Sequence, residues 1–146
     1  MELSDLLSLC RQKRGYRDLG RGATREEIEK IEEVLELSLP DSYRAMLETV
    51  GYIRWFGESI LGVAENEHYD TLSNTLSLRS EQRPSDFLTV PRDGNVIQNY
   101  AGGGYYFLFS KASKRSGEVA LFTDELFGNE EQSWSSFAEF LNYKIE

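Results

Sequence analysis

Apolar positions recur every three to four residues through the first third of the chain and switch to short runs afterwards. Leu3, Leu6, Leu7 and Cys10 share one helical stripe, with Ser4 and Asp5 near its start, which predicts a short first helix. The stripe stops at RQKRGYRDLGRG, residues 11–22, where Gly15, Gly20 and Gly22 among alternating charges predict a loop. From Thr24 the helical period returns. Ile28, Ile31, Val34 and Leu35 form the expected buried stripe, while Glu26, Glu27, Glu29, Glu32, Glu33 and Glu36 cover the other faces. Thr24 and Glu27 stand at capping-box spacing, so each side chain can bond the other's backbone N–H. Pro40 suits the first position of a third helix, which carries Tyr43, Met46, Leu47 and Val50 inward and is capped by Gly51.

Residues 52–63 (YIRWFGESILGV) then read as extended, with Gly57 permitting a tight turn or bulge. A weak helical pattern through Leu72 and Leu76 spans His68 to Ser80. Phe87 to Pro91 reads as a short strand that ends, or lies at an edge, at the proline. Tyr105–Ser110 and Glu118–Phe122 are the clearest strands, joined by the basic, glycine-ended turn KASKRSG. Ser133 or Ser135 can cap a last helix that turns Trp134, Phe137, Phe140 and Leu141 inward. This order predicts an α+β fold, a mostly antiparallel sheet of about four to six strands covered by helices, as one domain over residues 1–146.

Charge adds an asymmetry to this picture. The formal net charge is −9, yet residues 1–25 hold Arg11, Lys13, Arg14, Arg17, Arg21 and Arg25 against Glu2, Asp5 and Asp18, a net of +3. From Ser116 to Tyr143 there is no Lys or Arg, while Glu118, Asp124, Glu125, Glu130, Glu131 and Glu139 all lie there. Such a surface repels nucleic acid and attracts basic proteins over about one Debye length, ~10 Å. No apolar run is long enough to span a bilayer. The N-terminal MELSDLLSLCRQKRG lacks the layout of a signal peptide and the single Cys10 suits a reducing compartment, so a cytoplasmic location is expected.

Chemistry is sparse. His68 is the only histidine and lies in a polar ENEHYD segment without a nucleophile elbow; with Cys10 it makes no zinc-ligand set. The glycines of AGGGYY at 101–106 could bare N–H groups to an anion, but they lack the Lys-Ser/Thr of a phosphate loop and precede a strand. A turn is the favoured reading. No catalytic, cofactor or metal site is expected. Trp55 and Phe56 are either core residues or, if exposed, anchors for a protein partner.

The ordered elements carry a resemblance. Ile28, Ile31 and Glu32 sit on an acid-rich helix, and Leu39-Pro40 with Tyr43 opens the next, which closes at Gly51. A ribbon punctuated by Gly57 and Gly62 follows, and Phe137-Ala138-Glu139-Phe140-Leu141 lies in the closing helix. Over residues 24–143 this order resembles the SUKH superfamily, whose name comes partly from a yeast cell-wall-synthesis regulator. The resemblance implies a non-enzymatic binding domain, since bacterial members are commonly immunity proteins that neutralise a cognate toxin, often a nuclease or deaminase. The expected partner is then a basic toxin domain, and the expected contacts are Glu118, Asp124, Glu125, Glu130 and Glu131, clustered on one face, with Trp55 and Phe56 as candidate anchors. The alternatives are a small-ligand domain with a pocket near Trp55, Tyr105 and Tyr106, and a regulatory scaffold.

Overall fold

Two hydrogen bonds start the helical half of the molecule. The Thr24 hydroxyl accepts from the Glu27 amide at 3.2 Å, and the Glu27 carboxylate accepts from the Thr24 amide at 2.8 Å. This closed capping box launches α2 (Arg25–Leu35). The computed structural model describes residues 1–18 and 21–146; Leu19 and Gly20, within the loop expected over 11–22, lie outside the described residues. Before α2 come α1 (Leu3–Arg11) and a two-residue strand, β1 (Arg17–Asp18), inside that same loop. After it, α3 (Asp41–Val50) begins one residue beyond Pro40, which occupies the N-cap, and ends at Gly51 with φ 79°. Val34 departs from its expected place on the buried stripe: it is 43% exposed, while Ile28, Ile31 and Leu35 fill the core.

The ribbon β2 (Ile53–Trp55) and β3 (Glu58–Ile60) turns at Phe56-Gly57 and pairs with β1 in the order β1-β2-β3. A 3-10 turn at Glu67–Tyr69 leads into α4 (Thr71–Ser80). Then follows the main antiparallel sheet, β4 (Gly94–Asn99), β5 (Gly104–Phe109), β6 (Val119–Thr123) and β7 (Asn129–Trp134), and the chain closes with α5 (Phe137–Ile145) capped by Ser136. The fold is α+β, as the sequence predicts, with its strands divided between two antiparallel sheets.

Strand alternation sends side chains of the main sheet into two separate cores. Ile97, Tyr106, Leu108, Val119, Leu121 and Trp134 pack on α1, α2, α3 and α5. Val96, Tyr105, Phe107, Phe109, Ala120 and Phe122 form the second core with Leu61, Val90 and Leu78 of α4. Tyr105 and Tyr106 therefore face opposite sides of the sheet and cannot line one pocket with the buried Trp55.

Helix α4 also repairs an irregularity in β4. The register shifts between Val96 and Gln98, and the Val96 amide donates to the Thr75 hydroxyl at 2.9 Å while the Thr71 hydroxyl donates to the Val96 carbonyl at 2.6 Å. Both threonines are fully buried. Phe87–Pro91 is not a strand: apart from the Leu88 amide bonded to the Phe127 carbonyl it has no ladder, and Val90 is buried by packing alone. The glycines at 102–104 make the β4–β5 turn. Gly104 has φ 131°, and a Cβ there would stand 2.1 Å from the Phe122 carbonyl, so only glycine fits.

Candidate partner-binding surface

The hairpin β6–β7 holds four of the five singled-out acids, and Glu118 immediately precedes it. Two arginines divide them. Arg115, from the β5–β6 turn, lies 4.5 Å above the Phe109 ring, pairs with Glu118 at 3.0 Å, and also bonds Glu130. Arg83 reaches Asp124 at 3.3 Å. Glu125 and Glu131 are exposed and have no ion-pair partner among the described residues. The structure thus brings Glu118 and Glu130 together through a shared cation. It sets Glu118 and Asp124 at opposite ends of β6, roughly 20 Å apart at about 3.3 Å per residue. Glu130 stands opposite Phe122, on the second-core face, and Glu131 is the extra residue of a bulge in β7. The five acids do not form one continuous patch.

Apolar groups that sequence reasoning passed over complete the acidic end. After β6 the chain makes a 3-10 turn, Asp124–Leu126, and then places Phe127 at φ 56° and Gly128 at φ 79°. A left-handed phenylalanine is rare, because its Cβ crowds the backbone. Phe127 is nonetheless 53% exposed, touching Phe87 edge-on at 5.9 Å, and Leu126 and Leu88 are exposed beside it in sequence and hydrogen bonding. The signal in the sequence was Leu126-Phe127 placed inside a tract otherwise polar and acidic, directly before a glycine. Outside β7 lies open strand edge: Asn129 through Ser133 are all exposed.

The aromatic pair at the β2–β3 turn separates. Trp55 is 8% exposed and belongs to the first core; Phe56, at the tip, is 83% exposed. Of the candidate chemistry, Cys10 is fully buried and burial pushes its thiol up to about 11, whereas His68 is exposed on the 3-10 turn. The glycine run spends its Gly103 amide on the Tyr100 carbonyl, at 3.0 Å. No group of three or more His, Cys, Asp or Glu able to hold a metal ion occurs among the described residues, and no helix there is long and apolar enough to cross a membrane.

Helices layered on one face of an antiparallel sheet, in the order helix, Leu-Pro, helix, glycine-punctuated ribbon, define the class of domain that the sequence resembles. The SUKH family model described as SMI1-KNR4 cell-wall matches residues 4–146, essentially the whole chain. The chain belongs to the SUKH superfamily.

Proposed function

We propose that this chain is a protein-binding module of the immunity type, which captures a basic partner, a toxin domain, on the acidic end of the β6–β7 hairpin. The observation that carries the reading is Phe127. A bulky ring is held outward from a left-handed backbone, between exposed Leu88 and Leu126, with Glu125, which has no ion pair among the described residues, in the same turn. Interfaces of this kind place an apolar or aromatic anchor at the centre and charged groups at the rim. Family membership is consistent with such a role, and the net charge of −9 favours fast encounter with a cationic protein. A nuclease or deaminase, whose substrate cleft is basic, is the kind of toxin the surface suits. In this reading the chain performs no catalysis; it blocks its partner's.

The test is co-expression of the tagged chain with the product of the gene beside its own. Recovery of a cationic, growth-inhibiting protein in a one-to-one complex supports the reading, and a neighbouring product that neither inhibits growth nor co-purifies removes it.

A further inference from the structure

Among the described residues, Arg21, Arg25, Arg44, Arg83, Lys111, Arg115 and Lys144 are paired with carboxylates, but two other cations are set against each other. In the β1–β2 ladder Arg17 stands directly opposite Arg54, and Arg54 stands opposite Ser59 of β3. Directly opposed residues share one face of a ribbon, so the three side chains form a row. Ile53, Trp55 and Ile60 are buried on the other face. Like charges facing each other across a ladder are destabilising. Here neither arginine has an ion pair with a carboxylate among the described residues.

Arg54 is held rather than free. Its Nη1 donates to the Tyr69 hydroxyl at 2.6 Å, and Tyr69 is stacked on Tyr52 at 5.4 Å with only 8° between the rings. Its Nε is enclosed and lacks a hydrogen-bond partner. The row lines an open cleft of about 480 Å³ whose rim includes Gly15, Phe56 and Gly57. Among the described residues, Glu58 is the one carboxylate on the cleft wall, and it is engaged elsewhere, accepting from Gln98 at 2.6 Å and lying 3.6 Å from Lys144. The basic N-terminal segment is tied to the cleft by the Phe56 amide, which donates to the Arg14 carbonyl at 2.9 Å.

We infer that this face of the β1–β2–β3 ribbon binds a phosphate monoester, with the phosphoryl oxygens between Arg17, Arg54 and Ser59 and the organic group beside Phe56. Guanidinium forks match oxyanions bidentately, and arginine outperforms lysine in that role. A carboxylate has only two oxygens and one charge, enough for a single fork. A tetrahedral dianion with three terminal oxygens answers the Arg17 fork, the remaining Arg54 terminal nitrogen and the Ser59 hydroxyl together, and it offsets the Arg17–Arg54 repulsion. The exposed Phe56 ring, with no packing role of its own at 83% exposure, gives the ester group an apolar wall. The site shares no residue with the surface around Phe127, and it stands or falls independently of the toxin reading.

The experiment is an amide-resolved NMR titration of the full chain with phenyl phosphate and with inorganic phosphate, at constant ionic strength. The expected result is saturable shifts confined to the segments around Gly15–Arg17 and Arg54–Ser59, with phenyl phosphate binding several-fold tighter than inorganic phosphate. Arg17→Gln, on an exposed position of a short edge strand, is expected to weaken binding at least tenfold with an unchanged thermal melt. Phe56→Ala is expected to equalise the two ligands. Shifts that fail to saturate or an unaffected Arg17→Gln would overturn the assignment. So would tighter binding of a polyglutamate peptide at the same face, which would make it a contact for acidic protein.

Discussion

At Phe127 two costs coincide: the left-handed backbone at φ 56° and a ring half in water. The first is worth about 1–2 kcal/mol for a residue with a Cβ. Against it stands the edge-on contact with Phe87, worth about 0.5–1.5 kcal/mol for an aromatic pair. Phe127→Gly removes both, so urea denaturation should find a folding free energy within about 1 kcal/mol of the parent. The same variant should lose at least tenfold in affinity for the partner by calorimetry, as expected for a central aromatic anchor. A loss of several kcal/mol in stability with affinity intact would make the ring a piece of core and leave the proposed surface without its centre. Trp55, which the sequence offers with Phe56 as a candidate anchor, has the opposite balance from Phe127. It lies in the first core, and only Phe56 remains available for contact.

Elements in this chain are started and corrected by a few polar side chains, and two of these can be weighed. In the capping box of α2 the Glu27 carboxylate bonds the Arg21 guanidinium at 2.8 Å and the Thr24 amide, which together hold its pKa at about 2, below the ordinary 4.5. A depressed carboxylate pKa stabilises the fold fully above about pH 4.5 and loses that contribution as the pH falls towards about 2. Glu27→Gln should therefore be less stable than the parent near neutrality and converge on it across that acid window in melts recorded at successive pH. A gap that stays constant with pH would mean that the carboxylate charge is not what the box uses. The second is Thr75, whose hydroxyl accepts from the Val96 amide where β4 bulges. Thr75→Val keeps the shape and orphans a buried N–H, at a cost of about 1–3 kcal/mol in urea unfolding, whereas Thr75→Ser should recover most of it. Equal stability of the valine variant would show that the bulge finds another acceptor. These bonds also explain what was legible in the sequence. The helices α1, α2 and α3 and the strands β5 and β6 bury one face or two, and their apolar spacing announces them. Strand β4 sets only Val96 and Ile97 as apolar side chains among Gly94, Asn95, Gln98 and Asn99, and its polar residues are held by partners distant in sequence. Strand β7 is an edge exposed from Asn129 to Ser133, so nothing in its composition alternates, and its Trp134 resembles the start of the following helix. Phe87–Pro91 errs the other way: Val90 enters the second core, Leu88 stays exposed, and the segment joins no strand ladder. The acids of the candidate surface were visible as a tract, but Arg115 and Arg83, which neutralise part of it, approach through the fold, Arg83 from 41 residues upstream of Asp124.

Within the net charge of −9, some acids of the β6–β7 hairpin are answered by arginine and others have no ion pair among the described residues. Glu118 and Glu130 share Arg115, and each is about one third exposed, so their pairing contributes only about 0–1 kcal/mol to the fold. Glu125 and Glu131 carry no such partner among the described residues and contribute to the long-range field at full strength. Electrostatic steering acts on association rates and is screened by salt, with a Debye length of about 10 Å at 0.1 M. The double variant Glu125→Gln/Glu131→Gln should thus slow association with a basic partner several-fold at low salt, leave dissociation nearly unchanged, and flatten the salt dependence of the on-rate. Glu118→Gln should do much less to the on-rate, because it frees the positive charge of Arg115 toward Glu130 rather than removing an unpaired acid from the rim. Stopped-flow mixing at two ionic strengths separates the cases. If the double variant associates as fast as the parent at both, the acidic tract serves solubility alone and recognition must lie with the apolar turn around Phe127. If only its on-rate and salt slope fall, the charges guide the encounter while Phe127 holds the complex, a division of labour that the geometry of the β6–β7 turn already supports.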